Sequence, residues 1–168
     1  VLAGMSARKG PLHGGAPGPV ITMLDAIATE GDPRPWLERE LQSGARLMGF
    51  GHRIYRTRDP RADALKSALR RLHRSPEATE RLAFAERVEQ DALALLRAAK
   101  PDRPLETNVE FYTALLLEAV GFPAEAFTAV FATGRVIGWI AHAMEQRASG
   151  RLIRPQSRYV GPAVRAAA

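Results

Sequence analysis

Four histidines, at 13, 52, 73 and 142, are the side chains of this chain best suited to hold or move a proton near neutral pH. Two of them sit where a helix cannot continue. His13 lies in GPLHGGAPGP, among glycines and prolines just ahead of an apolar-periodic stretch. A histidine near a helix N-terminus feels the positive end of the dipole, which keeps the imidazole neutral and able to donate a hydrogen bond. His52 lies in GFGHRIYRTRDPR (49–61), on a glycine hinge, with four arginines packed into the nine residues that follow it. Glycine lets backbone approach a ligand closely, and arginine's planar fork suits carboxylates and phosphates. The pattern fits a hydrogen-bond donor aimed at an oxygen that becomes negative, with cations around it for an anionic substrate. A turn with an incidental histidine is the competing reading at both positions. His73 and His142 fall inside helical patterns and read as surface or packing residues.

Glu110 and Arg135 add an acid and a further cation. Glu110 stands in the first turn of an otherwise apolar helical stretch, where partial desolvation would act on its carboxyl, although helix dipoles favour acids there in any case. Arg135 stands in the middle of a long apolar pattern, AEAFTAVFATGRVIGWIAHAME (124–145), with no acidic residue on its own face within a turn. Buried there, it would need an anion from elsewhere. MGFGHR lacks the third glycine and the preceding strand of a dinucleotide fingerprint, GPLHGG is no phosphate loop, and no spacing on a single helix resembles a metal site.

Helices must position these residues, because almost nothing reads as strand. Residues 1–10 resemble the end of a helix stopped at Gly10–Pro11. Val20, Ile21, Leu24, Ile27 and Ala28 recur at helical spacing in 19–31, with Gly31 as a stop, and a short helix with prolines at its start follows over 33–43. After the arginine-rich loop, Ala64, Leu65, Ala68, Leu69 and Leu72 form one stripe. Ser75, Pro76 and Glu77 open another helix, whose apolar positions are Leu82, Ala85, Val88, Ala92 and Leu95. Asn108 is placed to cap VEFYTALLLEAVG, apolar nearly all round and therefore expected to be buried. In the 124–145 helix, Gly134 and Gly138 suggest close packing of another backbone, and Arg135 argues against a membrane span. Beyond Gly150 the prolines at 155 and 162 keep the chain extended. The class is all-α.

The 168 residues carry a net charge of +6, are 46% hydrophobic and contain no cysteine. That excludes disulfides and thiolate metal sites and favours an intracellular, cytoplasmic setting, with no secretory signal expected in the Gly/Pro-rich first 18 residues. Only three of the 24 basic residues are lysine, and the arginines are scattered. Small anionic ligands fit this distribution better than nucleic acid, whose footprint is a dense basic patch.

Five segments, in order along the chain, resemble citrate synthase, including the related 2-methylcitrate synthases: KGPLHGGA (9–16), GFGHRIYRTRDPRA (49–62), NVEFY (108–112), GRVIGWIAHAMEQ (134–146) and RLIRPQSRYVGP (151–162). The resemblance implies an all-helical fold in which a small domain, about 15–121, is inserted between large-domain pieces at 1–14 and 122–168, the rest of the large domain lying in a missing N-terminal part. It implies an active site in the cleft between domains. His13 matches the histidine that hydrogen-bonds the thioester carbonyl as the enol forms, and His52 the one that polarises the ketone of oxaloacetate. Glu110 stands where the family usually has aspartate, the base for the thioester's α-proton. Arg61 and Arg135 match arginines that hold substrate carboxylates. Arg154 matches the arginine delivered across a homodimer. Leu47, Met48, Gly49, Phe50 and Gly51 would embrace the adenine of coenzyme A, and Arg56 would face its phosphates. The implied reaction condenses acetyl-CoA with oxaloacetate into citrate and free CoA, with no permanently bound cofactor and no metal, and the 168 residues alone are expected to be inactive. Propionyl-CoA use, a catalytically silent subunit, a citryl-CoA lyase module and an arginine-rich nucleic-acid-binding domain are the alternatives.

Overall fold

A computed structural model describes residues 1–8, 17–52, 55, 57–72, 75–158 and 160–161. His13, Arg56 and His73 lie outside the described residues. Seven α-helices appear among those described: α1 (Leu2–Arg8), α2 (Pro17–Glu30), α3 (Pro33–Gln42), α4 (Pro60–Leu72), α5 (Pro76–Ala99), α6 (Val109–Ala119) and α7 (Phe127–Ser149). A 3₁₀ turn, Ala124–Ala126, leads into α7. There is no strand among the described residues, only an isolated antiparallel bridge between Phe50 and Thr107. The fold is all-α, as the periodicity predicts.

Local signals set most boundaries. Ser75 accepts from the Ala78 N–H at 3.2 Å, with Pro76 as the first residue of α5. Asn108 accepts from the Glu110 N–H at 3.0 Å and starts α6. Gly31 follows α2 with φ +89° and Gly121 follows α6 with φ +93°, a left-handed turn that costs other residues more than glycine.

The core joins α2, α3, α4, α5 and α6 with the loops between them. Val20, Leu24 and Ile27 from α2, Leu37 from α3, Ala62 and Leu69 from α4, Ala85, Val88 and Ala92 from α5, and Phe111, Tyr112 and Ala114 from α6 are fully enclosed. α6 packs on α4 and α2, and α3 on α5. Leu72, expected on the α4 stripe, is instead exposed, and Ala28 of α2 faces solvent.

α7 departs from expectation. Only Phe127 is buried, while Ile137 and Met144 are largely exposed. Arg135, expected to be a buried cation, is exposed. Gly134 has no atom within 4 Å of a Cβ built on it, and Gly138 meets only the Arg135 side chain at 3.7 Å. Neither is where another backbone packs. The close approach is at Gly4 of α1, where a Cβ would lie 2.9 Å from the Trp139 ring. No helix is long and apolar enough to cross a membrane among the described residues.

Candidate active site

The loop around His52 and the start of α6 are stitched together by backbone. Gly51 N–H donates to Glu106 O at 2.7 Å, and Asn108 N–H donates to Gly49 O at 2.9 Å. Asn108 Nδ2 closes the seam onto Gly51 O at 2.8 Å, while its Oδ1 caps the helix at Glu110. One asparagine therefore ties the loop before His52 to the turn that carries Glu110. The two glycines are required here. Gly49 has φ +86° and a Cβ on it would lie 2.8 Å from the Phe111 ring; Gly51 has φ +81° and would meet Leu105 at 2.9 Å. Phe50 inserts beneath them, its ring 5.4 Å from that of Phe111. Of the segment expected to embrace adenine, Leu47, Gly49, Phe50 and Gly51 are buried and Met48 is half-buried.

His52 is half-buried and its tautomer is assigned by its partner. The Tyr55 backbone N–H donates to His52 Nδ1 at 2.9 Å, so in the neutral ring Nδ1 is the acceptor and Nε2 carries the proton. Nε2–H is then the donor of the ring. The Tyr55 ring stacks on the imidazole, centroids 4.5 Å apart at 26°, and the Arg61 guanidinium carbon lies 5.7 Å from the same tyrosine ring.

Asp59 orders Arg61. Its carboxylate, 1% exposed, accepts from Arg61 Nε at 3.0 Å and Nη2 at 2.8 Å, and from the Arg61 backbone N–H at 3.0 Å. The Arg61 hydrogen bond, with lesser help from the Val109 N–H at the start of α6, holds the Asp59 carboxyl below its usual range despite burial. The same pair raises the Arg61 guanidinium, and Glu110 adds a smaller attraction. Asp59 uses part of the fork, and the remaining N–H groups stay available to a ligand.

Glu110 is half-buried with its Oε2 shielded from solvent. Arg8, at the end of α1, sits with its guanidinium carbon 4.0 Å above the Phe131 ring, one turn from Arg135 on α7. Burial lowers the Arg8 guanidinium first; repulsion from Arg135 adds to this and attraction to Glu110 opposes it. Glu110 thus lies in the field of arginines from two separate segments, at 8 and 61, and Arg135 reaches this group only through its repulsion of Arg8. Arg154 is exposed in the extended stretch after Gly150. His142, read as a surface or packing residue, pairs with Glu145 at 3.1 Å in the open. No cluster of three or more potential metal ligands occurs among the described residues.

The structure therefore joins His52, Arg61 and Glu110 through shared backbone and electrostatics, with Arg135 linked to them only by way of Arg8. It leaves Arg154 at a distance from any described partner. Sequence reading missed Tyr55, Asp59 and Arg8. The Asp-Pro at the start of a helix was a legible capping signal for Asp59. Nothing in the pattern marked Tyr55 or Arg8.

The sequence matches the citrate synthase C-terminal domain over residues 1–156. It is 47% identical over 161 residues to a protein of Mycobacterium tuberculosis named putative citrate synthase 2, covering 96% of this chain and 42% of that one. A citrate synthase from Thermoplasma acidophilum, solved as a ternary complex with carboxymethyl coenzyme A and oxaloacetate, superposes with a TM-score of 0.77 at 37% identity, over 95% of this chain and 42% of the other. A citryl-CoA lyase from Hydrogenobacter thermophilus superposes with a TM-score of 0.71 at 25% identity, over 93% of this chain and 60% of the lyase. The chain spans less than half the length of the curated relatives it matches. On the match to nearly its whole length, and on the all-helical frame that joins its histidine loop to its acidic helix start, the chain belongs to the citrate synthase family.

Proposed function

We propose that the complete protein containing this chain condenses acetyl-CoA with oxaloacetate, releasing citrate and free CoA. The observation that carries this reading is the Asn108 stitch: one side chain fixes both the loop before the ketone-polarising histidine and the helix turn of the base. In this reading Glu110 removes a proton from the carbon next to the thioester carbonyl, and His13 donates to the carbonyl oxygen as it becomes enolic. The nucleophilic carbon attacks the ketone of oxaloacetate and a carbon–carbon bond forms. The ketone oxygen turns into an alkoxide, stabilised by the Nε2–H of His52, whose proton position the Tyr55 N–H fixes in advance. Water then cleaves the thioester, giving the free carboxylate and the CoA thiol.

Arg61, Arg135 and Arg154 neutralise the carboxylates, Arg154 across a homodimer. The adenine of CoA lies against 47–51, with Arg56 at its phosphates. The pieces 1–14 and 122–168 belong to the large domain and 15–121 to the small one. The exposed apolar residues of α7, Ile137, Ile140 and Met144, are then surface for the N-terminal part of the same protein to cover. That reading makes the 168 residues inactive alone.

The test is thiol release by the complete protein with oxaloacetate and either acetyl- or propionyl-CoA. Acetyl-CoA is expected to be the better substrate, and a clear preference for propionyl-CoA would move the protein to 2-methylcitrate synthesis. Glu110→Gln should lower turnover about 10²- to 10⁴-fold, the range of general-base catalysis. Glu110→Asp shifts the carboxylate by about 1 Å, and a rate unchanged by both substitutions would remove Glu110 from the role of base. The likeness to citryl-CoA lyase supports a second reading in the cleavage direction. Release of oxaloacetate from citryl-CoA, without thiol release from acetyl-CoA and oxaloacetate, would establish it.

A further inference from the structure

Glu89 is the most heavily engaged buried charge among the described residues, and nothing in the family motifs assigns it a part. It sits on α5 with 3% of its surface exposed. Arg58 Nη1 lies 2.9 Å from its Oε1, an ion contact without the angle of a hydrogen bond. Its Oε2 accepts from Tyr112 Oη at 2.5 Å and from Lys66 Nζ at 3.1 Å. Arg58 also reaches Thr107 Oγ1 at 3.4 Å and Asp63 Oδ1 at 2.6 Å.

The positions of these partners matter more than their number. Arg58 is three residues before Arg61. Thr107 is three before Glu110, and Tyr112 is two after it. Lys66 belongs to α4, whose first turn holds Arg61. One carboxylate on a third helix thus grips both segments that the condensation reading makes chemical. A buried ion cluster is a poor source of stability compared with apolar packing of the same volume, because desolvation offsets most of the attraction. Fixed geometry is what such a cluster supplies, since each partner is held at one distance.

We propose that Glu89 is a positioning residue for the reaction, holding the Arg61 turn and the first turn of the Glu110 helix at a set separation. It touches no substrate. The inference rests on the condensation reading of the same site. A misplacement of about 1 Å between a substrate-holding arginine and a base costs about 10²-fold in rate.

The test uses the complete protein with Glu89→Gln, which keeps the shape and removes the charge. Glu86→Gln is the control: Glu86 lies one turn earlier, bonding Arg70 at 2.9 Å and Lys66 at 3.5 Å without reaching Arg58. Expected for Glu89→Gln is a fall in kcat of about 10- to 100-fold, with the KM for acyl-CoA within about 2-fold of the parent. Calorimetric binding of oxaloacetate alone should weaken in the same variant. Glu86→Gln should leave all three unchanged. If Glu89→Gln does not fold, Arg58→Met takes its place, since it leaves Glu89 with Tyr112 and Lys66, and the same split is expected. Constants within about 2-fold of the parent in the folded variant, or an equal loss in Glu86→Gln, overturn the proposal. A parent protein that neither binds oxaloacetate nor releases CoA thiol overturns the reading of the site instead.

Discussion

α6 and α7 are both apolar helices by composition, yet the chain treats them oppositely. α6 has 11 residues and buries Phe111, Tyr112, Ala114 and Leu115. α7 has 23 and buries Phe127 alone. The first is surrounded by partners from the same 168 residues, with α4 and α2 on its flanks and the Gly49–Gly51 loop over its start. The second keeps Ile137 at 76% exposure and Met144 at 66%. Apolar residues recurring along a helix announce that a face will be covered but not by what. A helix whose cover lies within the chain contributes to stability there; one whose cover lies elsewhere contributes only local helix formation.

The largest effect expected from this contrast is a pair of truncations read by urea unfolding of the 168-residue chain. Phe111→Ala removes a fully enclosed ring and should cost about 3–5 kcal/mol. Ile137→Ala removes a largely exposed side chain and should stay within about 0.5 kcal/mol. Comparable losses at the two sites would mean that α7 is packed as tightly as α6.

Glycines sharpen the comparison at a smaller scale. Gly49 is held at φ +86° against Phe111, so Gly49→Ala combines a backbone penalty of about 1–2 kcal/mol with a contact of 2.8 Å that something must relieve. Gly134 lies inside α7 with open space around it, and Gly134→Ala should stabilise this chain by about 0.5–1 kcal/mol through helix propensity. Thermal unfolding of the two variants should move in opposite directions. A destabilising Gly134→Ala would reveal a neighbour at α7 that the geometry lacks.

The same division explains what could be read from sequence. Asn108, Ser75 and Gly31 act within a few residues of themselves, so their capping roles were legible. The stripe of α5 was legible too, but Glu89 sits inside it, between Val88 and Ala92, and its burial depends on Arg58, Lys66 and Tyr112 arriving from other helices. A glutamate breaking an apolar face at the spacing Ala85, Glu89, Ala92, Leu96 was the available signal. Arg135 failed in the opposite way. Its apolar surroundings implied burial, whereas exposure is decided by contacts that sequence periodicity does not contain. His52 and Glu110 were legible from their local pattern and Arg61 from motif resemblance; that Asn108 and Asp59 join them needed coordinates.

Acid should act on the α4–α6 region first. Burial alone would raise the Glu89 carboxyl, but the hydroxyls of Tyr112 and Thr107, the charge of Arg58 and the bond from Lys66 hold it below its ordinary 4.5. Asp59 is held below its ordinary 3.8, chiefly by Arg61. A depressed carboxyl binds its proton more readily in the unfolded chain, so its stabilisation is complete above the unfolded value and fades as pH falls through the folded one. Stability should therefore hold from neutral pH to about the ordinary carboxyl range and decline below 4.5, with Glu89→Gln showing a shallower decline than the parent. Equal slopes for both proteins below that pH would mean the cluster stays charged or contributes nothing.

The smallest expected effect concerns charges that touch no core. Arg34 Nε meets Glu38 Oε1 at 3.0 Å along α3, with side chains 59% and 43% exposed. Such an i,i+4 pair gains little in high dielectric and is screened by salt, so Arg34→Ala should cost no more than about 0.3–0.5 kcal/mol, less at high ionic strength. Arg81 spans elements instead, bonding Glu118 of α6 at 2.9 Å and Asp25 of α2 at 2.7 Å from α5. Burial works against its charge, but the two carboxylates outweigh that and raise the guanidinium. Removing Arg81 should cost more than removing Arg34 and resist salt better, because the screening that erases an exposed pair reaches a half-buried one poorly. A double-mutant cycle for each pair at low and high salt measures this. If the Arg81–Glu118 coupling collapses with salt as fully as the Arg34–Glu38 coupling, the α5–α6 contact is as open to solvent as α7, and the division between the two regions does not extend to their charges.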